Sequence, residues 1–178
     1  MTNAELAILS LVAEEPRHGY QIEQVIEERG MRDWTEVGFS SIYYLLKKLE
    51  RKGLVESELT EAERGPARKV YQATHAGREA YRAAVLDALT VPRRWTSTLL
   101  LGLASLPLIP PVETVAALRQ YRDAQAARRD HVRARRERQQ PLPHFIEALF
   151  DYSVTMIQAE IAWVEKLMQE MEERHGQG

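Results

Sequence analysis

The chain has 178 residues, 44% of them hydrophobic, a formal net charge of −2 and no cysteine. That length suffices for one mid-sized domain or two small ones, and the absence of cysteine excludes a disulfide framework and thiolate metal or redox chemistry, as suits a reducing cytoplasm. A pI of 6.2 argues against a surface that grips nucleic acid all over, yet Lys47, Lys48, Lys52 and Lys69 crowd one short region, so a basic working face is compatible with a nearly neutral whole.

The opening MTNAELAILSLVAEEP lacks the basic n-region and cleavage site of a secretory signal and reads as folded protein. Thr2 and Glu5 have capping-box spacing ahead of an apolar helix that stops near Pro16. A second helix is expected from Tyr20 to Arg29, with Tyr20, Ile22, Val25 and Ile26 facing inward and Gly30 just past its end. MRDWTEVGF has no helical period and reads as a loop leading to Ser40 or Ser41 as the next N-cap. The third helix ends at Gly53, placed for a left-handed C′ residue with Leu54 making the apolar contact of a Schellman motif. Leu54–Leu59 and Arg68–Ala73 alternate as strands around a polar turn holding Gly65 and Pro66, and Thr74 caps a fourth helix that runs to about Leu89.

This order predicts a mainly α fold with a small β-hairpin wing: a winged helix-turn-helix over residues 1–91, followed by a C-terminal helical dimerisation domain over 92–178. VPRRW (Val91–Trp95) marks the junction. The apolar run Leu99–Ile109 is broken by Gly102 and Pro107 and is shorter than the roughly 20 residues of a bilayer span, so it reads as a buried helix rather than a membrane segment. Two long helices are expected after it, from about Val112 to Gln139 and from about Pro143 to Arg174.

In the third helix, FSSIYYLLKKLERKGLV, the residues Ile42, Leu45, Leu46 and Leu49 share one face, while Tyr43, Tyr44, Lys47, Lys48 and Arg51 share the other with Ser40 and Ser41 at its start. Hydroxyls suit phosphates and base edges, lysine and arginine neutralise phosphates, and a helix fits the major groove. A solvated basic surface is the bland reading of that face, but two tyrosines beside the lysines fit a groove-reading helix better. Arg64, Arg68 and Lys69 flank the hairpin turn and supply a second contact with the backbone or minor groove.

HGYQI (His18–Ile22), SSIYYLLKKLERKGLV (Ser40–Val55) and RGPARKVYQATHAGREAY (Arg64–Tyr81) together resemble the PadR-like family of bacterial transcriptional regulators. The resemblance covers the first half of the chain and rests on the combination of the Gly-Tyr start of helix two, Ile-Tyr and Leu-x-x-Leu-Glu in helix three, and Arg-Lys-x-Tyr and Thr-x-x-Gly in the wing. It implies a homodimeric one-component regulator, usually a repressor, whose C-terminal helices pair and sense a small molecule. Phe39, Ser41, Tyr44 and Val70 depart from the commoner family residues, so base preference is not carried over.

In the second half, Ile146, Leu149, Phe150, Ser153, Ile157, Ile161, Val164, Leu167, Met168 and Met171 form one broad stripe on a helix of roughly 45 Å. Part of that stripe is expected to cover a second copy, which would set two recognition helices about 34 Å apart for successive major grooves. The arginine-rich segment Arg119–Arg138 reads as a solvated helix partly paired with acids of the last helix, with extra DNA backbone contact as the sharper alternative. Trp95, beside the junction, is the candidate wall of a pocket for an apolar or aromatic effector. The histidines are scattered without metal-ligand spacing, and no Gly-rich phosphate loop or nucleophile elbow appears, so neither a metal, a cofactor nor an enzyme activity is expected. The expected function is sequence-specific binding of double-stranded DNA in transcriptional regulation; the alternative is a winged-helix protein-interaction module that does not read DNA.

Overall fold

The computed structural model describes all of the chain except residues 34, 36–37, 39–40, 61–66, 93–96 and 177–178. It divides into two compact units, Met1–Arg94 and Trp95–Gly178.

The first unit runs α1 (Asn3–Glu14), β1 (Arg17–His18), α2 (Gly19–Glu28), a 3-10 turn (Met31–Asp33), α3 (Ser41–Arg51), β2 (Val55–Thr60), β3 (Arg68–Ala73) and α4 (His75–Thr90). The capping box predicted at Thr2 is formed: Thr2 Oγ1 accepts from the Glu5 amide at 3.1 Å, and Glu5 Oε2 accepts from the Thr2 amide at 2.9 Å. Ile8, Leu9, Val12, Ile22, Ile26, Ile42, Leu46 and Leu49 are buried together in the core between α1, α2 and α3. At about 1.5–3 kcal/mol for each large aliphatic side chain removed from water, this cluster is what holds α3 in place.

The end of α3 is a Schellman motif. The Leu54 amide donates to the Leu49 carbonyl at 3.0 Å, the Gly53 amide to the Glu50 carbonyl at 2.9 Å, and Gly53 has a φ of +68°. Thr74 fastens the next element to that corner, its Oγ1 donating to the Gly53 carbonyl at 2.8 Å and accepting from the Gly77 amide at 3.0 Å. The first turn of α4 lies so close to this corner that a Cβ on Gly77 would sit 1.9 Å from the Leu54 carbonyl oxygen. Arg78 then ties α4 to the end of α1 by donating to the Ala13 carbonyl at 2.6 Å.

β2 and β3 form the predicted hairpin, with Val55 opposite Ala73 and Thr60 opposite Arg68. β1, absent from the sequence reading, adds a third antiparallel strand in the order β1-β3-β2, with Arg17 opposite Tyr71. Two residues are too few to show alternation. Arg17 is nevertheless buried, paired with Glu14 at 3.1 Å and Glu15 at 2.9 Å and donating to the Leu11 carbonyl, so it closes the C-terminal end of α1.

The second unit contains α5 (Thr98–Ala104), a 3-10 turn (Leu106–Leu108), α6 (Pro111–Arg138) and α7 (His144–Gly176). α6 and α7 are antiparallel and pack through two clusters. One is built on Leu118, Val164 and Met168 and the other on Val132, Ile157 and Ile161. The burial expected for Leu99–Ile109 is not found within this chain. Leu99 is half-buried against the first cluster and Leu103 and Leu106 are half-buried, but Leu100, Leu101, Leu108 and Ile109 are exposed. Among the described residues no helix is long and apolar enough to cross a membrane.

Candidate nucleic-acid interface

α3 carries its two predicted faces. Ile42, Leu45, Leu46 and Leu49 are buried, while Tyr43 and Tyr44 are 55% and 58% exposed and Lys47 and Arg51 point outward beside them. Ser41 is half-buried at the first turn, its Oγ donating to the Gly38 carbonyl at 2.5 Å. Ser40, Arg64 and Trp95 lie outside the described residues.

Lys48 is turned away from the outer face. Its Nζ lies 3.0 Å from Oε1 of Glu5, and Lys52 Nζ lies 2.8 Å from the same oxygen. The Glu5 side chain is only 2% exposed. Burial pushes its pKa up, but hydrogen bonds from Lys52, the Thr2 backbone and Lys48 outweigh that and hold it at about 2. The carboxylate therefore stays charged and anchors the C-terminal half of α3 to the first turn of α1.

The wing is tied to α3 in the same manner. Lys69 Nζ donates to both carboxylate oxygens of Glu50, at 3.0 and 3.1 Å, and lies 5.2 Å over the Tyr71 ring. Ser57 donates to Glu50 as well, and these bonds together lower the Glu50 pKa. Arg68, next along β3, is exposed and has no carboxylate partner among the described residues.

Three residues of the interface were not assigned to it from the sequence. Tyr20, expected to face inward, is 59% exposed, because α2 begins at Gly19 and its buried stripe starts with Ile22. His18 serves as the N-cap of α2, its Nδ1 accepting from the Gln21 amide at 3.2 Å while Gln21 Oε1 accepts from the His18 amide at 3.0 Å. Gly19 is where α2 meets α3, and a Cβ there would fall 2.4 Å from Cε1 of Tyr43. The only signal for these positions was the HGY tripeptide itself. With Tyr43, Arg68, Lys69 and Tyr71 the three residues line an open cleft of about 390 Å³ between α2, α3 and the wing.

Of the stripe singled out on the last helix, Ile157, Ile161, Val164 and Met168 are buried against α6 of the same chain. Phe150 and Leu167 are half-buried against the same clusters, Ile146 is half-buried, and Leu149 is 46% exposed. A different row, Phe145, Leu149, Tyr152, Met156 and Trp163, stands exposed along α7. In the basic segment of α6, Arg119 pairs with Glu172 and Arg136 with Glu147, while Arg122 and Arg129 pair with the aspartates that follow them.

Residues 8–83 match the model of the Transcriptional regulator PadR-like family. The chain is 31% identical over 71 residues to Uncharacterized protein X of Lysinibacillus sphaericus, a match over 40% of this chain and 64% of that relative, just under two thirds of its length. Its fold is similar to that of Bacillus subtilis PadR in complex with operator DNA, with a TM-score of 0.75 and 18% identity over 94% of this chain and 98% of that one. The same holds for Bacillus subtilis PadR in complex with p-coumaric acid (TM-score 0.75, 16% identity, 96% and 99% covered) and for the PadR-like regulator BC1756 from Bacillus cereus (0.70, 19%, 96% and 99%). Residues 8–83 thus match the PadR-like family of transcriptional regulators, and the fold of nearly the whole chain is similar to that of PadR.

Proposed function

We propose that this chain is a sequence-specific regulator of transcription that binds double-stranded DNA as a homodimer, acts as a repressor in the cytoplasm and responds to a small apolar or aromatic molecule. Residues 1–91 read the DNA, and residues 92–178 pair the two copies and carry the response. The observation that carries this reading is the mounting of α3: four buried aliphatic residues and two lysines on Glu5 fix the helix, while Tyr43, Tyr44, Lys47 and Arg51 stand free on the outside. Tyrosines on the base edges and cations on the flanking phosphates match a helix lying in a major groove. Arg68 adds a backbone contact from the wing.

The structures of Bacillus subtilis PadR with operator DNA and with p-coumaric acid support a DNA partner and a small-molecule partner for a chain of this fold. For pairing, Phe145, Leu149, Tyr152, Met156 and Trp163 follow a spacing of four, three, four and seven residues, the heptad period that lets one helix lie against another. With Ile157, Ile161, Val164 and Met168 engaged inside the chain, this second row is the pairing surface.

The test is a mobility shift on the chain's own upstream region. Lys47→Ala with Arg51→Ala is expected to abolish the shifted band while light scattering and circular dichroism remain unchanged. Undiminished affinity in that variant would instead favour a winged helix that binds protein through the same face.

A further inference from the structure

The cleft beside α3 contains two hydrogen-bond donors that face each other. His18 Nδ1 accepts the Gln21 amide proton, so the proton of the neutral ring sits on Nε2. That nitrogen is 3.4 Å from Nη1 of Arg68. A guanidinium has no acceptor, so neither group satisfies the other. Burial and the Arg68 charge both lower the His18 pKa, so the ring stays neutral and keeps this arrangement.

The rest of the cleft continues the pattern. The rings of His18 and Tyr20 are near-parallel, 20° apart with centroids at 6.4 Å, and the Tyr20 and Tyr43 side chains line the same space. Lys69, held by Glu50 over the Tyr71 ring, closes one side. Two cations, one of them already held by Glu50, an imidazole N–H and three tyrosines therefore line a space whose described lining residues include no carboxylate. An anion with several oxygens would satisfy Nε2–H and the guanidinium at once.

We infer that this cleft is a phosphodiester site: His18, Tyr20, Tyr43 and Arg68 together grip one phosphate of the bound DNA strand that passes between α3 and the wing. The volume of about 390 Å³ leaves room for the adjoining deoxyribose against the two tyrosine rings. The openness of the cleft to the outer face of α3 favours a phosphate within a polymer over a free ion. The inference rests on the DNA-binding reading and adds to it a clamp built from the HGY turn of α2, which fixes where the helix sits along the duplex.

The experiment uses the full chain and its own upstream duplex, with single methylphosphonates placed at successive positions to remove one backbone charge at a time. His18→Asn keeps an N-cap residue on α2 and removes only the outward N–H; Tyr20→Phe removes one hydroxyl. Each is expected to weaken binding by about ten- to a hundredfold, the range of a hydrogen bond to a charged group. One methylphosphonate per half-site should weaken the wild type similarly and cost nothing further in His18→Asn. Arg68→Ala should lower the slope of log affinity against log salt by about 0.9. Wild-type affinity in both His18→Asn and Tyr20→Phe, with Lys47→Ala and Arg51→Ala still disruptive, overturns the clamp and leaves the DNA reading standing. A wild type that binds no duplex overturns both. A His18 ring resonance that saturates with micromolar inorganic phosphate, without any coupled methylphosphonate, overturns the DNA assignment in favour of a free phosphate.

Discussion

Lys52 Nζ lies 2.8 Å from Oε1 of Glu5, joining the C-terminal end of α3 to the first turn of α1 through a carboxylate that is almost wholly buried. The same carboxylate caps α1, so one side chain fixes the start of one helix and the end of another.

Glu5 makes stability sensitive to acid in a defined window. Its folded pKa of about 2 lies below the ordinary 4.5, so its contribution is fully present above pH 4.5 and is lost as pH falls toward 2. At 1.36 kcal/mol per pKa unit this amounts to about 3 kcal/mol. Glu5→Gln should lose about that much at pH 7 and flatten the profile between pH 2 and 4.5, as read by denaturant unfolding at each pH. Identical profiles for the two proteins would show that the carboxylate contributes nothing specific.

Two glycines should respond differently to the same added methyl group. At Gly77 it meets the Leu54 carbonyl oxygen at 1.9 Å, and backbone cannot swing aside, so Gly77→Ala should cost on the order of 3 kcal/mol or more. At Gly19 the obstacle is the Tyr43 ring, which can rotate outward. Gly19→Ala should therefore leave the melting temperature within a few degrees and weaken DNA binding severalfold. Thermal melts and a binding titration on both variants separate the two outcomes.

The two faces of α7 should be separable by mutation. Leu149→Asp with Met156→Asp, on the exposed row, is expected to halve the mass measured by light scattering while helicity is retained. Val164→Ala, at a position with no exposure, should cost about 2 kcal/mol of stability with the mass unchanged. A doubly substituted chain that keeps the wild-type mass would place the pairing surface elsewhere.

For the arginines of α6, Arg119 and Arg136 pair with acids on α7, as a solvated, partly paired helix requires. Replacing Arg133, Arg135 and Arg136 by alanine should leave the salt slope of DNA binding within about 0.5 of wild type, against a fall of up to about 2.7 if all three touch phosphates.

The sequence exposed those parts of the fold whose signals are local. Capping at Thr2 and Thr74, the left-handed Gly53 and the apolar face of α3 each depend on residues within one or two turns, and all stand where the spacing placed them. Features that depend on chain segments far apart were hidden. Nothing in the neighbourhood of Lys48 reveals that Glu5, 43 positions earlier, would draw it inward, and a two-residue strand at Arg17 has no period to detect. Tyr20 looked inward because a strict helical count from the apolar residues includes it. Its exposure follows from where α2 starts, and that start depends on the His18 cap. On α7 the sequence showed one broad stripe, whereas the antiparallel neighbour takes only part of it and leaves its Leu149 exposed, in a second row with Phe145, Tyr152, Met156 and Trp163 that the stripe did not include.

That division of α7 means the residues that hold the helical hairpin together and the residues free to meet another chain occupy different positions. Descendants of this sequence can change Phe145, Leu149, Tyr152, Met156 and Trp163 without disturbing Val132, Ile157 or Val164. On the proposed pairing, two such chains can, after gene duplication, lose the ability to mix subunits while each keeps an intact fold, parting company inside one cell through a handful of surface substitutions.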